Sequence, residues 1–234
     1  MMKTFKIFLM SLTAVLLLTT AIFAQGKTES AEGMVFYVND PVGRNSVTFE
    51  STAPLEDIVG TTNDVKGHLV FDPQNPDKGG KGELVVSVAS LNTGIPLRDE
   101  HLRSADWMNA EAHPYITFKI DKVTDMQKVK ETESALTYDV VAHGSLAING
   151  KTKSVSVPGR ITYLAESEMT KNRLPGDILA VRASFDVALA DFGITGPAGA
   201  QIIGAKVGET IAVDLSIMGS TKSEAPEMAS MPGK

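Results

Sequence analysis

Six consecutive residues, Arg98-Asp99-Glu100-His101-Leu102-Arg103, bring together an imidazole, two carboxylates and two guanidinium groups. A histidine beside carboxylates can move protons near neutral pH, so the segment could serve an enzyme acting on an apolar substrate. That chemistry also needs a nucleophile or a base held by an orienting group, and no such set is legible around Arg98–His101. The simpler reading is that these charges cap and solvate a short helix, or pair across it. The four histidines, His68, His101, His113 and His143, lack the tight spacing of a metal motif such as HExxH. Gly144 to Thr152 imitates a phosphate loop, but the gap before Gly150-Lys151-Thr152 is one residue too long and lies in a hairpin. Gly193, Gly196, Gly199 and Gly204 mark backbone freedom rather than a nucleotide site. Cysteine is absent, which excludes disulfides, thiolate metal sites and a cysteine nucleophile. No metal or cofactor is expected.

The elements that hold this segment are strands. From Leu91 to Phe118 the alternation of apolar and polar residues stops. Asn92-Thr93-Gly94-Ile95-Pro96 reads as a turn and the charged run as a short helix carrying the only tryptophan, Trp107. On either side the period is two. Val65, Leu69 and Phe71 share one face, as do Ile116, Phe118 and Ile120, and Tyr138, Val140 and Ala142. Val181, Ala183, Phe185, Val187 and Leu189 give the longest such run, and Ile211, Val213, Leu215 and Ile217 repeat it. Asn149-Gly150 predicts a type I′ hairpin, because both central residues need positive φ. Turn signals predict roughly eight to ten strands and at most two short helices. That is an all-β domain, either a sandwich or a closed barrel.

The ends read differently from the middle. Residues 1–24 have the form of a secretory signal peptide, with Lys3 and Lys6 before an apolar run and Ala24 at a cleavage point. Residues 25–33 read as a flexible lead-in, 34–219 as one domain, and 220–234 as a disordered tail. Cleavage would take Lys3 and Lys6 and no acid, moving the net charge from −6 to −8. An acidic chain argues against nucleic-acid binding and against docking on anionic membrane through a basic patch. The expected location is periplasmic or extracellular. The oligomeric state, a homodimer included, is left open.

Arg98-Asp99-Glu100-His101-Leu102-Arg103-Ser104, Asp106-Trp107-Met108 and His113-Pro114-Tyr115-Ile116-Thr117-Phe118 follow one another in a fixed order and spacing. In that order and spacing the chain resembles the YceI-like family of exported, lipocalin-like, polyisoprenoid-binding proteins. Gly144 to Thr152, Asp191-Phe192-Gly193-Ile194 and Val207-Gly208-Glu209-Thr210-Ile211 support it. Trp107-Met108 stands where two phenylalanines are commoner in the family. The resemblance implies an extended antiparallel lipocalin-like β-barrel with a short helix between strands, and an apolar tunnel for an isoprenoid chain.

Such a tunnel needs no motif. A five-carbon isoprene unit contributes roughly 3 kcal/mol on burial before ordering costs, so a few units suffice without polar contacts. The candidate ligand-binding residues are Phe49, Leu69, Val86, Ile116, Phe118, Val140, Phe185, Val187, Val213 and Leu215 on the inward face, with Trp107 and Met108 closing one end. The expected function is sequestering or carrying an isoprenoid-type lipid, polyprenyl or quinone-precursor-like. The rivals are the enzyme above and a structural or adhesive exported β-domain with a filled core.

Overall fold

The computed structural model describes residues 33–226. The expected signal peptide, almost all of the lead-in and the end of the expected tail lie outside the described residues. Ten antiparallel strands form one sheet: β1 (Met34–Val38), β2 (Ser46–Thr52), β3 (Asp57–Thr62), β4 (Val65–Phe71), β5 (Gly80–Ser87), β6 (Tyr115–Thr132), β7 (Ala135–Ile148), β8 (Lys151–Leu164), β9 (Ile178–Ala188) and β10 (Thr210–Ser220). Two short helices interrupt them, α1 (Pro96–Arg103) and α2 (Glu168–Lys171). The strand order β1-β4-β5-β6-β7-β8-β9-β10, with β10 returning to β1, closes an eight-stranded barrel. Closure leaves these strands no free edge and settles the choice between barrel and sandwich.

The closing strand is split. β1 pairs with β4 and, through Tyr37 opposite Ser220, with the end of β10. After residues 39–45 the chain resumes as β2 along the first half of β10, and β3 folds back on β2. The break is held by side chains. Asp40 accepts from the Arg44 backbone N–H at 2.6 Å and from the Arg44 guanidinium in a fork, Nη2 to Oδ1 at 2.6 Å and Nε to Oδ2 at 3.0 Å. That fork lowers the Asp40 pKa to about 2. Asn45, 1% exposed, accepts from the Met218 backbone N–H at 2.8 Å through Oδ1. Met218 lies on β10 between its contacts with β2 and β1, so the Asn45 amide satisfies a strand donor that the break leaves unpaired.

The barrel has two differently built halves. Around β1 and β4 the interior is filled by Phe36, Val38, Phe71, Tyr138, Leu179 and Ile217, all buried. Phe36 meets Tyr163 edge-on at 6.4 Å, and Phe71 meets Tyr138 likewise at 6.3 Å. Burial, then a hydrogen bond to Asp177 at 2.9 Å, pushes the Tyr163 phenol up to about 12. In the other half, the β2–β3 hairpin continues the wall. It is tied across by Thr61 N–H to Asn92 C=O at 2.8 Å and by the return bond at 3.0 Å.

The Asn149-Gly150 turn has φ of 48° and 71°, as a type I′ hairpin requires. At the C-terminal end β10 runs through Ser220, one residue into the segment expected to be tail. Ser220 is fully buried, its hydroxyl donates to the Pro175 carbonyl, and the Thr221 N–H donates to the Asp177 carbonyl at 3.0 Å. Small polar residues carry no apolar period, so this last strand position was invisible in the pattern.

Candidate functional site

The second half of the barrel encloses a cavity of about 590 Å³. Its wall is built by period-two positions on neighbouring strands: Phe49 on β2, Leu84 and Val86 on β5, Ile116 and Phe118 on β6, Leu146 and Ile148 on β7, Phe185 and Val187 on β9, and Ile211, Val213 and Leu215 on β10. Side chains alternate across a strand, so the residues between them, such as Ser184, Asp186 and Asp214, point outward into water. The volume lies inside the about 300–1,000 Å³ typical of small-molecule sites.

α1 and the residues after it cover one end. Pro96 starts α1, where a missing N–H costs nothing. Asp99 is 5% exposed and accepts from the Thr93 backbone N–H at 2.8 Å and the Thr93 hydroxyl at 2.6 Å. The Thr93 hydroxyl, and secondarily the Thr93 N–H and the nearby Arg103 and Arg98 charges, hold its pKa below the usual carboxylate range against the effect of burial. Arg103 Nη2 donates to the Leu91 carbonyl at 2.9 Å, and Arg98 pairs with Glu56 from the β2–β3 connection. The expected solvated helix face holds at Glu100 and His101 and is corrected at Asp99 and Arg103. Asp99 and Arg103 turn inward and clamp the helix to the 91–93 turn, and Glu100 remains exposed. Periodicity in an eight-residue helix cannot separate a solvated charge from one that satisfies buried backbone groups.

Trp107 and Met108 follow in a tight turn, with Met108 N–H donating to the Leu102 carbonyl at 3.0 Å. Met108 is buried, and both residues line the cavity. The Trp107 ring lies so close to Gly196 that a Cβ there would sit 3.4 Å from Cη2 and Cζ2. The indole thus bridges from the α1 segment to the loop after β9, and Ile194, Pro197, Ile202, Lys206 and Val207 of that loop complete the end of the cavity.

Of the residues singled out from sequence, Phe49, Val86, Trp107, Met108, Ile116, Phe118, Phe185, Val187, Val213 and Leu215 line this cavity. Leu69 and Val140 do not. They line a separate space of about 80 Å³ toward the filled half. Both point inward as their period required, but their height along the barrel axis depends on strand stagger, which alternation does not report. Leu146 and Ile148 were missed although they continue the period of Val140. Leu91 and the 194–207 loop residues were missed because no period marks them.

Polar groups gather near the covered end: Glu56, Thr93, Arg98, His101, Ser104, Asp106 and Lys206 all reach the cavity. Among the described residues, no cluster of three His, Cys, Asp or Glu side chains could hold a metal ion. His143 lies elsewhere on the barrel, with ring nitrogens 2.7 Å from the Thr124 hydroxyl and 2.8 Å from the Ser156 hydroxyl.

Comparison with known proteins agrees with this architecture. The YceI-like domain profile matches residues 37–218. A UPF0312 protein of Azotobacter vinelandii is 30% identical over 194 residues, covering 81% of this chain and 91% of the relative. Another, of Pectobacterium carotovorum, is 30% identical over 148 residues, covering 62% and 69%. Among solved structures, BcnA of Burkholderia cenocepacia superposes with a TM-score of 0.58 at 17% identity, covering 77% of this chain and 98% of BcnA. A polyisoprenoid binding domain from Saccharophagus degradans superposes with a TM-score of 0.54 at 16% identity, covering 82% and 99%. Identity this low speaks for the fold alone, but the profile spans nearly the whole barrel: the chain belongs to the YceI-like family.

Proposed function

We propose that this protein binds one long apolar molecule of isoprenoid type in the 590 Å³ cavity and carries or sequesters it. The observation that carries the reading is the wall itself. From Leu215 to Ile211 on β10, and across β5, β6, β7 and β9, the lining is aliphatic or aromatic, and charge appears only near the Trp107 end. A linear chain with one polar head matches that distribution. The head would lie near Arg98, His101 and Lys206, and the chain would run toward Leu215. The solved Saccharophagus domain of the same fold, described as polyisoprenoid binding, supports the ligand class. A filled structural barrel fits less well, because apolar cavity wall without partner atoms forfeits dispersion contacts that a packed core would keep. The acid–base reading of Arg98–His101 is weakened by Asp99, whose carboxylate is committed to Thr93.

Native mass spectrometry of the purified protein, with organic extraction of what it releases on denaturation, tests the proposal. The expected result is an apolar adduct of one molecule per chain, or uptake of a prenyl alcohol by protein stripped of lipid. Protein that takes up no prenyl alcohol would sink it. Export through residues 1–24 is part of the same proposal, and N-terminal sequencing of protein recovered outside the cytoplasm checks it. A mature chain beginning near Gln25 is expected, and an intact Met1 would refute cleavage.

A further inference from the structure

The interior continues beyond the main cavity but narrows first. Leu84, Phe118, Phe185 and Leu215 line both the 590 Å³ cavity and the 80 Å³ space, so they form the partition between them. Leu84 and Phe118 are cross-strand neighbours on β5 and β6. Phe185 and Leu215 sit on the adjacent strands β9 and β10. In the barrel order β6 and β9 are three steps apart, and so are β10 and β5, so the two pairs project from facing walls. The second space lies behind them, and its lining mixes small residues such as Ala142, Gly159 and Ala183 with larger ones such as Leu69, Val140 and Ile161. Phe36, Val38 and Ile217, each at most 2% exposed, fill the interior on the β1 side.

Volume sets the length that fits before the partition. A dry apolar cavity of about 150 Å³ takes one benzene ring. On that scale the main cavity takes about 24 carbons, or about five isoprene units. The second space is smaller than the benzene-sized cavity and adds no whole unit unless the partition opens.

We infer that Phe118 and Phe185, backed by Leu84 and Leu215, are the stop that sets the ligand's chain length at about five isoprene units. The inference rests on the proposed isoprenoid reading of the cavity and goes further by naming which lengths it takes. A shorter chain leaves wall uncovered and loses buried area. A longer one must rotate both rings or carry its head past Arg98, His101 and Lys206 and lose their contacts. Affinity therefore rises with length up to the stop and falls beyond it.

The test is competition. Lipid-stripped protein is offered an equimolar mixture of all-trans prenyl alcohols of three to nine isoprene units, and the retained species are read by native mass spectrometry. The wild type is expected to prefer the five-unit alcohol over the nine-unit alcohol by about tenfold, since the longer chain gives up a hydrogen bond between its head and a charged group at the covered end. Phe118→Ala, which joins the two spaces, is expected to move the optimum to six or seven units. Val213→Phe, which fills the cavity short of the partition, should move it to four or fewer. Circular dichroism checks that each variant folds, and the wild-type profile together with Val213→Phe decides the matter if Phe118→Ala does not. Equal retention of five and nine units, or an optimum that neither folded variant moves, overturns the stop while leaving the carrier standing. Retention of no prenyl alcohol at any length overturns both.

Discussion

The two halves of this barrel share the strands β5 to β10 yet differ in what occupies the interior. Around β1 and β4, the rings of Phe36 and Tyr163 and of Phe71 and Tyr138 pack edge-on beside a space of about 80 Å³. Around β2, β3 and α1 the same kind of alternating strand surrounds about 590 Å³. The difference lies in the closing segments. β1 and β4 bring large side chains into the axis, whereas the other end is covered by a helix and loops that span the opening without filling it. Cavity and core are thus made from one binary pattern, and large buried rings decide which of them forms.

The strongest way to break this comparison is to remove one filling ring. Phe36→Ala should destabilise the protein by about 3–5 kcal/mol, because the site is fully buried and packed on all sides. Phe49→Ala, on the cavity wall, should cost about 1–2 kcal/mol, since part of that ring faces open volume. Urea unfolding of both variants measures the contrast, and equal costs would show that the halves are not packed differently.

The junction of the halves comes next. Asn45→Ala removes the acceptor for the partly buried Met218 N–H and should cost about 1–3 kcal/mol by the same measurement. Loss below about 0.5 kcal/mol would mean that the break between β1 and β2 is held by other contacts.

Asp99→Ala separates local from global stability. It strands the Thr93 N–H and hydroxyl, a penalty of about 1–3 kcal/mol that falls on the α1 segment. Trp107, the only tryptophan, reports on that segment directly. Its fluorescence should change at lower urea than the far-ultraviolet signal of the strands. Coincident transitions would show that the covering segment and the filled half unfold as one unit.

The smallest and most gradual effect is expected from acid. Asp40 has its pKa lowered to about 2, chiefly by the Arg44 hydrogen bond. A lowered folded-state pKa means stability that is fully present above the ordinary carboxylate range and is lost as pH falls through about 2. Asp99 is shifted in the same direction. Asp40→Asn should therefore flatten the loss of stability between about pH 4 and pH 2, and an unchanged acid slope would remove the Arg44 fork from the account.

Much of the architecture was legible in the chain because alternation has a direct physical cause. A strand facing water on one side and a core on the other must alternate, so Val181 to Leu189 and Ile211 to Ile217 declared their inward faces. Asn149-Gly150 declared its turn because few residues tolerate positive φ. The covering helix was visible as a break in period, and Trp107 and Met108 stood out within it. What Asp99 does was not visible, since a carboxylate that caps a buried turn and one that faces solvent are the same letter.

The sequence by itself determined an all-β chain, its inward faces, the position of the interrupting helix and the family pattern around it. These follow from local sterics and from the period of burial, which each strand records alone. Only the tertiary structure decided that the sheet closes at β1 and β10, that β2 and β3 extend one wall, and that Leu69 and Val140 face a different space from Phe49 and Val213. Those facts depend on stagger between strands and on volume left unfilled, and both are relations among distant segments that no single strand carries in its own pattern.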